Sequence, residues 1–209
     1  MKTILSCALL CLLLNIVKAQ SDISTLPAEF QKKLNEANMS FSKPDGVTET
    51  PTIKSDKVNY DYAVKVNGKN VEIRYALRPI PKEVFDVYEN REKKDGDSVL
   101  NPNKIHRILT PMMYSVISGG KLASKAVTIQ YFSPESIKKS AGADVGSMSR
   151  GPLGSDWAQV YNFGFYVMLH KDNLADAYIF YLFETEEQML DIMMEITSND
   201  ALFNALKFK

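Results

Sequence analysis

Cysteine is nearly absent from this chain, and its position matters more than its amount. Both cysteines, Cys7 and Cys11, fall in the first twenty of 209 residues. Everything downstream is therefore without a disulfide, a thiol nucleophile or a thiolate metal site. Histidine is almost as scarce, with only His106 and His170. No charge of one sign prevails: 25 Lys and Arg stand against 25 Asp and Glu. That balance excludes the basic footprint of bulk nucleic-acid binding. The one long apolar run, Ile4 to Leu14, is shorter than the roughly 20 residues that cross a bilayer. A hydrophobic content of 45% is enough for a packed core and excludes a disordered chain. There is no HExxH, P-loop, Gly-x-Ser-x-Gly or dinucleotide fingerprint.

The N-terminus explains the cysteines. Met1-Lys2-Thr3 is a short basic start, the run to Leu14 is its apolar core, and Val17-Lys18-Ala19 places small residues where a signal peptidase needs them. Residues 1–19 read as a cleaved secretory signal and 20–209 as one domain. Losing Lys2 and Lys18 leaves 23 positive charges against 25 negative. The Ala-Gln edge and the Lys/Asn/Ile-rich usage resemble exported proteins of Bacteroidetes-type bacteria. The expected location is periplasmic or secreted, with no transmembrane segment after signal removal.

Along the mature chain, Phe30, Leu34 and Ala37 fall at helical spacing after Pro27. Met39 to Ser42 alternates like a short strand before the Lys43-Pro44-Asp45-Gly46 turn. Val58 to Arg78 reads as a hairpin about a type I′ Asn67-Gly68 turn. That turn places Val64 opposite Val71, Tyr62 opposite Ile73 and Tyr60 opposite Tyr75 on a buried face. It places Asp61 opposite Arg74 and Lys65 opposite Asn70 on a wet face. Pro79 and Pro81 end the second strand, and residues 86–98 read as charged and turn-rich.

Asn101-Pro102 opens a helix to about 117, with Ile105, Ile108, Leu109, Met112 and Val116 as its apolar stripe, a kink at Pro111 and a stop at Gly119-Gly120. A strand is expected over 126–132, a short helix over 134–140, and strands over 158–170 and 175–183. The last two hold eight of the chain's 21 aromatic residues, and both alternation sets are apolar, as in strands covered on two faces. Thr185 to Gln188 matches a capping box before a helix through Met189, Ile192, Met193 and Ile196. Leu202, Phe203 and Leu206 suggest a final turn packed against the body. The sum is an α+β fold: a mainly antiparallel sheet of about six strands covered by helices.

This order of elements, with Met39-Ser40-Phe41-Ser42-Lys43-Pro44-Asp45-Gly46 running from strand into turn, resembles the PsbP-like family of α/β/α sandwich domains. Val47 stands where that family usually has Trp. The resemblance implies a non-catalytic binding or scaffolding domain and transfers no catalytic residue.

Residues 141–157 are rich in glycine and serine and read as a long surface loop. They carry Asp144, Arg150, Asp156 and Trp157, the only tryptophan. With His170 at the end of a strand, these are the candidate contacts for a ligand or partner. The plainer reading of Trp157 is an anchor of the following strand in the core. His106 reads as a solvated flank of its helix. The exposed acidic row Glu187, Asp191 and Glu195 reads as a solvated helix face. No residue is assigned to metal binding or catalysis, and no cofactor is expected. The functional expectation is an exported, non-enzymatic domain that binds an unidentified protein or small molecule. The alternatives are an exported hydrolase using His170, or a carrier of a small hydrophobic ligand.

Overall fold

The computed structural model describes residues 26–92, 99–122, 127–198 and 204–209. The expected signal segment, most of the 86–98 stretch's charged tip, Ala126, and Leu202 and Phe203 lie outside the described residues.

The chain opens with α1 (Ala28–Glu36) and β1 (Met39–Phe41), then β2 (Val47–Glu49), β3 (Tyr62–Val66) and β4 (Val71–Pro79). Helix α2 (Lys82–Asn90) follows, then a 3-10 turn (Pro102–Lys104) and α3 (His106–Ile117). Next come β5 (Gln130–Tyr131), α4 (Pro134–Ala141), β6 (Val145–Pro152), α5 (Ser155–Ala158), β7 (Phe163–Lys171) and β8 (Ala175–Phe183). The chain closes with α6 (Glu186–Ser198) and β9 (Leu206–Phe208).

The architecture is α+β with a large antiparallel sheet. Seven strands run in the order β2-β3-β4-β8-β7-β6-β5, and β1 pairs with β9 in a separate ribbon. Two meanders, β2-β3-β4 and β5-β6-β7-β8, meet along the nine-residue β4–β8 ladder from Val71↔Phe183 to Pro79↔Ala175. To pass from β4 to β5 at the far edge, the chain crosses one face of the sheet, and that crossing carries α2 and α3.

Both sheet faces are covered. On one, Ile73, Tyr75, Val167, Ile179 and Tyr181 pack against Phe30 and Leu34 of α1, Ile137 of α4 and Met189 and Ile192 of α6. On the other, Ala63, Ala76, Tyr166, Tyr178 and Phe180 pack against Tyr114 and Ile117 of α3 and Trp157 of α5. Alternation along β7 and β8 serves two apolar layers, which is why every residue of β8 is buried.

Several elements form as the residues direct. Gln188 N donates to Thr185 Oγ1 at 3.2 Å, the first half of a capping box. Asn101 accepts from Asn103 N at 2.9 Å and caps the turn that enters α3. Pro111 sits inside that helix.

The hairpin differs from its predicted register. A type I′ turn needs positive φ at both central residues, and of Asn67 and Gly68 only Gly68 has it, at 73°. The connection instead spans 67–70, and Tyr62 pairs with Tyr75, Val64 with Ile73 and Lys65 with Glu72. The shift of two residues keeps the side chains from Tyr62 onward on their faces but changes every partner; Val58 and Tyr60 precede β3 and pack in the opposite layer with Trp157. Asp61 meets Arg78 (3.3 Å), Lys33 (2.6 Å) and the Leu77 amide (2.6 Å), not Arg74. The expected wet face is also buried: Glu72 and Arg74 lie inside the second layer.

Residues 141–157 are not a long loop. They form β6 and α5, and the small residues serve close packing. A Cβ on Gly146 would stand 2.5 Å from Cγ1 of Ile137 in α4. Helix α2 arises where charge and turn residues hid it, and Leu206 of the expected final turn lies in strand β9, paired Met39↔Phe208.

Candidate functional site

The site begins with an inversion in α3. A helix crossing a sheet ordinarily turns its apolar stripe inward. Here His106, Thr110, Tyr114 and Ile117 face the sheet. Ile108, Leu109, Met112 and Val116 are each 42–52% exposed. The predicted stripe exists, but it points away from the core.

The outward stripe forms one wall of a groove with a volume of about 660 Å³. Leu109, Met112, Met113 and Val116 line it from α3, Val84 from α2, and Pro79, Ile80 and Pro81 from the end of β4. Tyr178 and Asp176 of β8 reach its floor, and Lys33, Lys57, Asn59 and Arg78 stand around its polar side. Helix α2 has no buried residue, so Val84 and Val87 add to the exposed apolar surface. Among the described residues, no helix is long and apolar enough to cross a membrane.

Beneath α3 lies a buried polar cluster. His170 and Asp176 are directly opposed across the β7–β8 hairpin, and both face the helix. His170 Nδ1 is 2.7 Å from Asp176 Oδ1, and its Nε2 is 3.0 Å from Asp172 Oδ1 in the hairpin turn. The His106 ring lies 4.2 Å from the His170 ring, centroid to centroid. Among the described residues neither nitrogen of His106 has a hydrogen-bond partner, and the side chain is buried.

The two imidazoles are pushed in opposite directions. Burial, then the neighbouring His170, lowers the His106 pKa to about 4, so its ring is neutral. Burial also opposes charge on His170, but hydrogen bonds to Asp176 and Asp172 outweigh it and raise its pKa. His106, His170 and Asp176 offer ligand atoms that all lie within 4.8 Å of one another, which makes them the residues able to hold a metal ion among those described.

The residues singled out from sequence do not form one constellation. His170 is in the cluster, and Asp144 supports it by accepting the Asp172 amide through Oδ2 at 3.1 Å. Asp156 is exposed and pairs with Lys57 at 2.8 Å, on the groove's polar side. Arg150 lies elsewhere, exposed on β6 opposite Phe165, beside a separate recess lined by Gln130 and Met193. Trp157 is buried: its Nε1 donates to Val58 O at 2.7 Å, and its ring takes the Arg74 guanidinium at 4.6 Å.

Sequence reasoning missed His106 and Asp176. Spacing puts His106 on a solvated flank beside the apolar stripe, but the stripe faces outward and His106 is buried instead. Asp176 had a readable signal: once β7 and β8 are joined by a short turn, 170 and 176 fall opposite each other on one face. The chain matches no protein-family model and no curated protein sequence.

Proposed function

We propose that this protein is an exported, non-enzymatic binding domain that takes a small hydrophobic ligand in the groove between α2, α3 and the end of β4. The observation that carries this reading is the orientation of α3. Four aliphatic side chains on one helix stay half-exposed while His106, Thr110 and Tyr114 are buried beneath it. Exposed contiguous apolar surface of this kind marks a binding site. The groove volume falls within the range of about 300–1,000 Å³ typical of small-molecule sites. Its apolar walls and a few polar groups at one side suit an aliphatic ligand with a polar end. The resemblance to PsbP-like domains, known mainly for interaction roles, points the same way. Both ring nitrogens of His170 are engaged by carboxylates, which favours binding over hydrolysis with His170 as base.

Titration with a fluorescent alkyl probe tests the reading. The wild type should bind with saturation, and Met112→Lys should weaken binding at least about tenfold by placing a charge in the apolar wall. Its thermal midpoint should stay near that of the wild type, because Met112 is 52% exposed. Equal probe binding by both proteins, or none by the wild type, overturns the proposal.

A further inference from the structure

His106, His170 and Asp176 converge from α3, β7 and β8 on one buried point, and we infer that they form a zinc-binding site. Their ligand atoms all lie within 4.8 Å of one another. A tetrahedral zinc ion with bonds of about 2.0–2.1 Å holds its ligand atoms about 3.3 Å apart. His170 Nδ1 and Asp176 Oδ1, now 2.7 Å apart, need to separate by only about half an ångström to admit the ion. Two imidazoles and a carboxylate are a donor set that suits zinc over calcium or magnesium.

His106 supplies the independent observation. It is 1% exposed, and neither of its ring nitrogens has a hydrogen-bond partner among the described residues. Buried polar groups are nearly always partnered, since a desolvated donor or acceptor without a partner costs free energy. An imidazole at this position adds nothing to packing that leucine or phenylalanine would not. One of its ring nitrogens lies within 4.8 Å of the ligand atoms of His170 and Asp176, and a metal ion bound between them would satisfy it.

The surroundings match a metal site as well. Asp172 holds His170 Nε2 at 3.0 Å, the carboxylate–histidine arrangement that orients a ligating ring from behind. Asp144 in turn accepts the Asp172 amide at 3.1 Å, so the turn carrying that carboxylate is fixed. The ion takes the place of the proton shared between His170 Nδ1 and Asp176, and that proton leaves to solvent. Asp176 also lines the groove floor, which gives an entry path. Three protein ligands leave a fourth position for water or a ligand group.

The test is calorimetric titration of the chelator-treated full chain with zinc chloride, with cobalt(II) as a spectroscopic substitute. The wild type should take up one zinc per chain, gain thermal stability on binding, and give visible bands of tetrahedral cobalt with nitrogen ligands. His106→Leu should abolish binding yet leave the metal-free thermal midpoint unchanged or higher, because His106 makes no hydrogen bond to lose. Asp172→Asn, at an exposed turn position that folding tolerates, should weaken zinc by about 10–100-fold. No stoichiometric uptake by the wild type overturns the inference, and so does unchanged affinity in both variants. The site does not depend on the groove reading: loss of alkyl-probe binding and loss of zinc binding are measured separately and by different variants.

Discussion

Replacing Arg74 with methionine should be among the most destabilising single changes in this protein. The Arg74 side chain is fully buried. Its Nε donates to Glu72 Oε1 at 2.6 Å and its Nη1 to the Trp157 carbonyl at 2.7 Å. Its guanidinium lies 4.6 Å from the ring centres of both Tyr60 and Trp157. One side chain thus ties β4 to α5 and to the irregular segment before β3.

Arg74→Met fills similar space but leaves the carboxylate of Glu72, itself 4% exposed, without its cation. Breaking a buried pair on one side costs about 3–5 kcal/mol. For a chain of this size, about 2–4 °C of thermal midpoint accompanies each kcal/mol, so a fall of roughly 6–20 °C is expected. Trp157 is the only tryptophan and lies at the contact, so urea unfolding followed by its fluorescence reads the effect where it arises. The double variant Glu72→Met/Arg74→Met removes both charges and should recover most of the loss, since a buried pair replaced by apolar groups is often neutral. A single-variant loss under about 1 kcal/mol, or a double variant no better than the single, would refute the reasoning.

Two further outcomes concern glycines. Gly142 ends α4 at φ 66°, and a Cβ there would lie 2.7 Å from the Phe208 carbonyl oxygen of β9. Gly142→Ala should therefore cost more than the roughly 1 kcal/mol of left-handed strain alone, seen as a lower urea midpoint and faster amide exchange in β1 and β9. Gly146→Val presses on Ile137 Cγ1 at 2.5 Å and Phe132 at 3.0 Å. It should cost about 1–3 kcal/mol by overpacking, and Ile137→Ala in the same chain should relieve part of it in chemical denaturation.

Local rules made much of the frame legible. Phe30 and Leu34 at helical spacing became the buried face of α1, with Ala37 buried as its C-cap, and two apolar alternation sets in 163–183 became strands covered on both sides. The Thr185 hydroxyl capped α6 as expected, and Asn101-Pro102 capped a 3-10 turn that leads into α3. These features need only neighbours within a few residues. The register of β3 on β4 did not follow, because the Asn67-Gly68 pair did not adopt the backbone angles that its composition favours. The small residues of 141–157 read as flexibility, since sequence does not show that Ile137 packs onto Gly146.

The functional surfaces fell furthest from local reading. Spacing alone established that α3 has an apolar stripe, but not which way the stripe faces. Direction was decided by the crossing from β4 to β5, which lays His106, Thr110 and Tyr114 on Tyr166, Tyr178 and His170. A helix does not carry its own orientation; the sheet beneath it does. For the same reason His106 and His170, 64 positions apart in the chain, meet ring to ring only in the folded protein. The sequence by itself determined most of the helices and strands, though not α2, β6, α5 or β9, and singled out His170 among the residues that could bear chemistry. Tertiary structure alone brought His106, His170 and Asp176 together and left Leu109 and Met112 facing outward.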